Sequence, residues 1–529
     1  MIRAAAMGSE RGERVRYRFS PLEQRGVIAG WRGGQIASVA AGLVIGVLVL
    51  RWRPSVGGVA LAVAGVAAGV ALAFWPIAGR TGEQWLPLVF RWLWATSTGS
   101  LRQLSPAPRR GHVATEEPPG SGAGPVGWRP APDARRVGGH RTVFDGLRVV
   151  GVPFASDPMA VEAGVVVDRP CRTATAVLAV RGHNFALLGP GDQDARIASW
   201  ARVLSTMARE GSEVHRLQWI ESCLPDDGGA VLSHWADHAV LGAESRAGRS
   251  YRALVDEAGP VTRRHRVLLG ISIHTARSAR SIRASGGGLE GTGSVLTREI
   301  ASLHRALEGA DVTVDGVLGP GALGRVISQA STPMSDVRGT GPPDDRGPGR
   351  PAVAPEHPSS WPWPMAVEPL WEAVHTDATW HATYWIAEWP RVEVTPDFLG
   401  PLFFSPLRRS IVLTMEPVSP SRAARQVAQA RTADLADGEL RRRGGFLVTA
   451  RHAREQRSVE ERDVELADGH AQYRFSGYVT VTAGTLEELQ DARAALEQVA
   501  GQARLELRLL YGEQDVAFAC SLPIGRGLS

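Results

Sequence analysis

All 59 basic residues of this 529-residue sequence are arginine, and that sets the first limit on its chemistry. A nucleotide-binding P-loop needs a lysine ammonium to reach the terminal phosphates, so no Gly-x-x-x-x-Gly-Lys-Ser/Thr loop can be written here and ordinary P-loop hydrolysis is not expected. Gly286-x-Gly288-x-x-Gly291 matches the dinucleotide pattern letter for letter, but it starts about a dozen residues beyond the strand-like run 267–273 instead of in a tight strand-to-helix turn. It reads as a mobile glycine-rich loop. Gly189-Pro190-Gly191-Asp192 could cradle an anion at a helix start, and reads more simply as a turn with Asp192 as the cap. His234 and His238 stand one helical turn apart, a spacing zinc can use. Trp235 occupies the place of a zinc protease's glutamate, so surface or packing histidines are expected. Glu460, Glu461 and Asp463 are accompanied by Arg457 and Arg462, as on a solvated helix face. Trp361-Pro362-Trp363 and Tyr384-Trp385 read as packing or partner contacts. No Ser/His/Asp or Cys/His set stands out. Cys171, Cys223 and Cys520 are odd in number and far apart, which argues against disulfides or a cysteine zinc site and fits a reducing compartment. No catalytic residue, cofactor or metal ligand is assigned.

The elements around these residues follow from periodicity. Runs at 165–167, 175–180, 185–188, 214–220 and 267–273 read as strands. Helices are expected over 192–208, with Ile197, Trp200, Ala201, Leu204 and Met207 on one face, over 229–257 and over 294–307. After a proline- and glycine-rich break come strands at 380–388 and 410–416, a long helical stretch over 420–468 interrupted at Gly444-Gly445, a strand at 473–482, and a capping box at Thr485 to Glu488 opening a helix to about residue 500. Both parts contain strand, helix, strand and capped helix, which suggests two related lobes although no sequence repeat is plain.

Residues 33–50 are apolar except for Gln35 and Ser38, and 56–79 carry no charge. At about 1.5 Å per residue, each run can cross a hydrocarbon core of roughly 30 Å. The connector Arg51-Trp52-Arg53-Pro54-Ser55 only turns the chain, so the runs form a hairpin, with Gly57, Gly58, Gly65 and Gly69 suited to close contact. Charge is unequal: residues 1–140 hold 17 arginines against 7 acids, while the remainder is net acidic by five. The outer flanks of the hairpin carry more arginine than the connector, which predicts both termini in the cytoplasm. Arg51, Trp52, Arg53, Arg80, Trp85, Trp92 and Trp94 are the expected membrane-interface residues, in contact with lipid. The fold class expected is a membrane-anchored α+β protein, with an N-terminal two-helix transmembrane hairpin followed by two cytoplasmic α/β lobes. Its parts are a basic tail (1–32), the hairpin (33–79), an interfacial helix (80–96) whose aromatic run 85–94 reads equally as a buried helix of the soluble region, a flexible linker (97–140), lobe 1 (141–330), a linker or insert (331–362) and lobe 2 (363–529). The acidic soluble part has no basic stripe, so direct nucleic-acid binding is not expected.

The order of features resembles an actinobacterial family that joins a PrgI-like membrane hairpin to a region similar to the N-terminal, non-motor domain of type IV secretion (conjugation) ATPases. The residues that carry the resemblance are Arg25-Gly26-Val27, Pro76-Ile77-Ala78-Gly79-Arg80, the stretch from His381 to Arg391, Met415-Glu416-Pro417, Gly469-His470, Gly477 to Thr482, and the close from Leu510-Tyr511-Gly512 through Phe518 to Leu522-Pro523. What the resemblance implies is an inner (cytoplasmic) membrane, multi-pass scaffold of a type IV-like secretion or conjugative apparatus, oligomeric with other inner-membrane subunits, that docks a separately encoded P-loop ATPase. Docking is expected near 471–529, with Phe518, Leu522 and Pro523 on a strand-like stretch as anchors. A core membrane component of a type VII-like system, or a membrane-bound enzyme with an unrecognised site, are the other readings.

Overall fold

The computed structural model describes residues 2–4, 17–19, 33–52, 54–77, 80–98, 103–104, 142–154, 162–182, 185–225, 234–235, 238–239, 242, 244–258, 263–331, 362–444 and 450–528. Most of the tail 1–32, the linker 97–140 and the insert 331–362 lies outside them, as does Arg53.

β1 (Ile2–Ala4) pairs with β2 (Tyr17–Phe19). Two apolar helices follow, α1 (Gly33–Trp52) and α2 (Val56–Phe74), each long and apolar enough to cross a membrane. Ser55 caps α2, its hydroxyl accepting from the Gly58 amide at 3.2 Å. The helices approach to backbone distance. A Cβ on Gly69 would lie 2.8 Å from the Ser38 carbonyl oxygen, and one on Gly42 would lie 3.1 Å from that of Gly65. A two-strand turn, β3 (Pro76–Ile77) and β4 (Arg80–Thr81), leads into α3 (Gly82–Ser97), and β5 (Gln103–Leu104) is the first strand of the main sheet.

The rest is an antiparallel, sheet-rich α/β region. Its first half runs β6 (Leu147–Val152), β7 (Ala163–Asp168), β8 (Thr173–Gly182), α4 (Pro190–Met207), β9 (Val214–Pro225), α5 (Arg246–Ala258), β10 (Arg263–His274), α6 (Ala279–Ala284), α7 (Gly288–Glu308), β11 (Val312–Val317) and α8 (Pro320–Ser331). Its second half runs β12 (Ala366–Pro369), β13 (Val374–Thr376), β14 (Thr379–Glu388), α9 (Gly400–Phe403), β15 (Arg409–Val418), α10 (Pro420–Gly444), α11 (Ala450–Ala467), β16 (Gln472–Ala483), α12 (Leu486–Gln502), β17 (Glu506–Leu509) and α13 (Gln514–Cys520). β5 to β17 form one sheet of order β5-β12-β13-β14-β16-β15-β9-β10-β8-β7-β6, with β11 also on β8 and β17 also on β14. The core continues through the junction, because Trp219 of β9 packs with apolar residues of both halves. Each fully buried Leu or Ile, such as Leu178, Ile271 and Leu296, stabilises the fold by about 1.5–3 kcal/mol.

The halves repeat one topology. In the first, β7 and β11 share one edge of β8, β10 takes the other edge, and β9 lies beyond β10. In the second, β13 and β17 share one edge of β14, β16 takes the other, and β15 lies beyond it. Each half is thus a β-α-β-β-α-β unit of the ferredoxin-like kind, with a hairpin before it and a helix after it. The left-handed backbone repeats as well. Arg172 (φ 54) and Asp377 (φ 43) turn into the first strand of each unit, and Asp311 (φ 56) and Arg504 (φ 57) into the last. Aligning the closing pairs Asp168–Thr173 and Thr376–Thr379 superposes Thr175 on His381. Through the ladders it also superposes Ser272 on Thr482, Arg216 on Arg408 and Ile220 on Val412. Ile220 and Val412 oppose each other where β9 meets β15, so a pseudo-twofold axis passes through that pair.

Several local expectations change. Residues 185–187 are a 3-10 turn, not a strand, and Gly189, not Asp192, is the α4 cap, because Pro190 at N1 begins the helix earlier. The glycine-rich stretch at 286–291 is not a loop throughout. Gly286, Gly287 and Gly288 have positive φ, after which Gly291 and Gly293 lie inside α7. There Gly291 lets α7 meet α6, since a Cβ would sit 2.2 Å from the Ile282 carbonyl oxygen. The stretch 517–523, expected to be strand-like, instead begins inside helix α13 and continues as the chain beyond it.

Candidate functional site

The surfaces that could act lie at α3, which follows the apolar hairpin, and at the C-terminal segment. Gly82 seats the start of α3 on the end of α2, where an added Cβ would stand 2.8 Å from the Leu72 side chain. From there α3 presents two faces. Leu86, Phe90, Leu93 and Trp94, at helical spacing, are all exposed, with Trp94 beside Phe90 at 6.3 Å. The opposite face packs on the second half of the sheet. Trp85 stacks on Trp371 at 5.8 Å and lies 5.6 Å from Tyr511, and Trp92 meets Trp371 edge-on at 5.2 Å.

Charge reinforces this contact. The Arg80 guanidinium donates to Glu513 at 2.9 Å and lies 5.8 Å above Trp85, and Arg91 donates to the Gly512 carbonyl at 3.2 Å. Gly512 has φ 68 and its amide donates to the Trp371 carbonyl at 2.8 Å. A side chain there would strike the Trp371 ring at 2.9 Å, so the turn requires glycine. Aromatic pairs contribute about 0.5–1.5 kcal/mol each beyond area burial, whereas the half-exposed ion pairs contribute less than about 1 kcal/mol. The aromatic cluster is the main fastening.

Of the residues expected at a membrane interface, Arg51 and Trp52 sit exposed at the hairpin tip, Trp52 at 85%. Trp94 is exposed on the outer face of α3, while Arg80, Trp85 and Trp92 turn toward the protein. Trp371 and Tyr511 were missed. Trp371 carries no motif, Tyr511 entered only through the Leu510-Tyr511-Gly512 stretch of the resemblance, and only the aromatic density of α3 hinted that it needed a partner. Trp363 stacks on Phe144 at 5.6 Å, Tyr384 donates to Glu497 at 2.8 Å, and Trp385 donates to Ser476 at 3.0 Å, so these aromatics pack within the chain.

The three expected docking anchors need correcting. Phe518 and Leu522 are each 2% exposed in the core against Val412, Leu268 and Val326, and Pro523 is buried beside them. None can meet a partner unless the sheet face opens. The chain beyond α13 is laid across that face instead. Gln218 donates to the Cys520 carbonyl at 3.2 Å and accepts from the Gly525 amide at 2.9 Å. Arg216 donates to the Gly525 and Leu528 carbonyls, Thr414 to that of Arg526 at 2.9 Å, and Tyr478 to that of Gly527 at 2.6 Å. The Arg526 guanidinium reaches the wholly buried Asp168 at 2.7 Å, and that carboxylate holds the arginine's pKa above its usual value against the opposing effect of burial.

His234 and His238 lie in exposed positions with rings stacked at 4.2 Å, and His238 Nδ1 is 3.0 Å from the His234 carbonyl. Among the described residues no group of three or more His, Cys, Asp or Glu could hold a metal ion. Asp463 pairs with Arg431 across the α10–α11 hairpin. No protein-family model matches the chain, and no curated protein matches it.

Proposed function

We infer that the chain is a membrane-anchored scaffold of a type IV-like secretion or conjugative apparatus, holding a separately encoded P-loop ATPase at the cytoplasmic membrane. The observation that carries this reading is the fastening of α3. One face of α3 is aromatic and packed on the sheet, the other is apolar and exposed, and the helix starts where the apolar hairpin ends. A bilayer around α1 and α2 would take that outer face at its surface, which would seat the sheet region against the membrane.

In this reading both termini are cytoplasmic, as the arginine distribution requires. The chain oligomerises with other inner-membrane subunits, binds no nucleic acid directly and performs no ATP hydrolysis, having no lysine for a P-loop. With Phe518, Leu522 and Pro523 in the core, the ATPase docks on exposed residues of 471–529, where Leu486 and Val516 are large apolar side chains open to a partner.

The test is deletion of residues 33–79 in the producing cell. The scaffold and the conjugation-type ATPase, followed by immunoblot, are expected to leave the membrane fraction together. An ATPase that stays in the membrane fraction at its full amount would contradict the scaffold role.

A further inference from the structure

The pseudo-twofold axis relates the place where the C-terminal segment lies to a second place, where Phe518 stacks on His381 at 4.2 Å and the end of α8 reaches Arg408, leaving a small cavity between them. The first is built from Thr175, Arg216, Gln218, Ser272 and Thr414, with Asp168 receiving Arg526. The alignment carries these to His381, Arg408, Ser410, Thr482 and Ser222, with Thr376 in place of Asp168. Ser222, Arg408, Ser410 and Thr482 line a cavity of about 50 Å³, room for a few waters or one small polyatomic ion.

The two places differ in charge. The first has a carboxylate and receives an arginine. In the second a neutral threonine replaces that carboxylate and is hydrogen-bonded to the buried His381 at 2.7 Å. A further cation, Arg266, occupies the position related to Ser476, and no acidic residue lines the cavity. Arg266 donates from Nη1 to the Gln329 side-chain oxygen at 2.7 Å, and its Nε is buried with no hydrogen-bond partner. Arg408, 8% exposed, donates to the Gln329 carbonyl at 3.1 Å. The Ser410 hydroxyl is also buried without a partner. Burial lowers both arginines to about 10, so both remain cationic at neutral pH. Arg409 also lines the cavity; its Nη2 donates to the Phe403 carbonyl at 2.7 Å and lies 3.6 Å from Glu221, which offsets its charge, while its Nε and Nη1 have no hydrogen-bond partner. The buried Arg408, the partly buried Arg266 with its unfilled, buried Nε–H donor, and hydroxyl donors around a small cavity make a receptor for an anion with several acceptor oxygens.

We propose that the cavity between α8 and the β9–β15 junction binds a small oxyanion, phosphate or carboxylate, through Arg266 and Arg408 with Ser222 and Ser410. The site joins α8 of the first half to β15 of the second, so a bound oxyanion ties the two halves together.

The experiment uses the full chain in detergent, titrated calorimetrically with inorganic phosphate and, in a separate arm, with acetate, at constant ionic strength set with chloride. Saturable binding of either anion is expected. Phosphate alone assigns a tetrahedral oxyanion, and acetate alone or both a carboxylate-compatible site. Arg266→Gln should weaken binding at least tenfold and Arg266→Lys less. Ser410→Ala, which removes only a hydroxyl without a partner, should weaken it several-fold in a protein that melts as the parent does. Arg305→Gln, on the exposed face of α7, should leave binding unchanged. Absence of saturable binding by the parent chain would overturn the proposal, as would binding that Arg266→Gln and Ser410→Ala both leave intact.

Discussion

Replacing Trp371 by alanine should release α3 from the sheet while leaving the sheet itself folded. Trp371 is the shared ring of the cluster, meeting both Trp85 and Trp92. Two aromatic pairs at about 0.5–1.5 kcal/mol each give about 1–3 kcal/mol. Losing roughly 100 Å² of buried ring surface, about half of what a tryptophan can bury, adds about 2.5 kcal/mol at ~25 cal/mol per Å². Neighbouring rings relax to recover part of this, so a net loss of about 3 kcal/mol is expected, a shift of roughly a hundredfold in the closed-to-open ratio. The Arg80–Glu513 pair, with side chains 17% and 31% exposed, cannot restore it. Hydrogen–deuterium exchange of the full chain in nanodiscs reads the outcome. Amides of Tyr511, Gly512 and Glu513 should exchange about a hundredfold faster in Trp371→Ala, while those of β14–β16 keep their parent rates. Unchanged exchange at 511–513, or equal acceleration throughout the sheet, would refute the fastening as described.

Three further outcomes follow from the buried polar groups. Asp168→Asn leaves the Arg526 guanidinium without its carboxylate. A buried pair broken on one side costs about 3–5 kcal/mol, so the melting temperature should drop and residues 521–528 become sensitive to carboxypeptidase; a resistant tail would contradict the contact. Gly525→Ala should loosen the same segment, because Gly525 has φ 72 and a Cβ would stand 2.2 Å from the Ser272 hydroxyl, and limited proteolysis should show it. His215 is pushed down to about 3, first by burial and then by Arg216, Arg277 and His274, and burial holds His381 well below the usual histidine range. Both are neutral when folded and titrate near 6.5 when unfolded. Their contribution is therefore complete above about pH 6.5 and falls below it by up to ~1.4 kcal/mol per pH unit for each. Melting temperature should decline from about pH 7 to pH 5, less steeply in His381→Asn, and an identical slope in that variant would exclude the His381 share.

The parts legible in the sequence were those whose signal is local. The apolar runs at 33–50 and 56–79 became α1 and α2 because uninterrupted hydropathy needs no partner to be read. The N-cap at Thr485 is formed as expected, its hydroxyl accepting from the Glu488 amide at 3.2 Å, while the Glu488 carboxylate reaches back one residue further than the capping box requires, to the Gly484 amide at 3.0 Å. The long strands β8, β10, β14, β15 and β16 were found through their apolar runs. β6, β11, β12, β13 and β17 were not, because strands of three to six residues, most with a charged member, carry no clear period. The pairing of β9 with β15, and so the continuous sheet and its twofold repeat, depends on contacts about 190 residues apart that no local pattern encodes. Phe518 and Leu522 show the same limit at a site. Apolar residues near a chain's end can serve a partner or a core, and only the neighbours Val412, Leu268 and Val326 decide for the core.

The scaffold reading stands or falls on what the chain holds at the membrane. Affinity purification of the full chain from mildly solubilised membranes of the producing cell, with quantitative mass spectrometry, tests it most directly. The account predicts a conjugation-type P-loop ATPase at near-equal molar amount, reduced when Leu486 and Val516 are both changed to Asp in a protein that still folds and inserts. Recovery instead of a motor built from several fused ATPase domains, or of no ATPase above an untagged control, would contradict it.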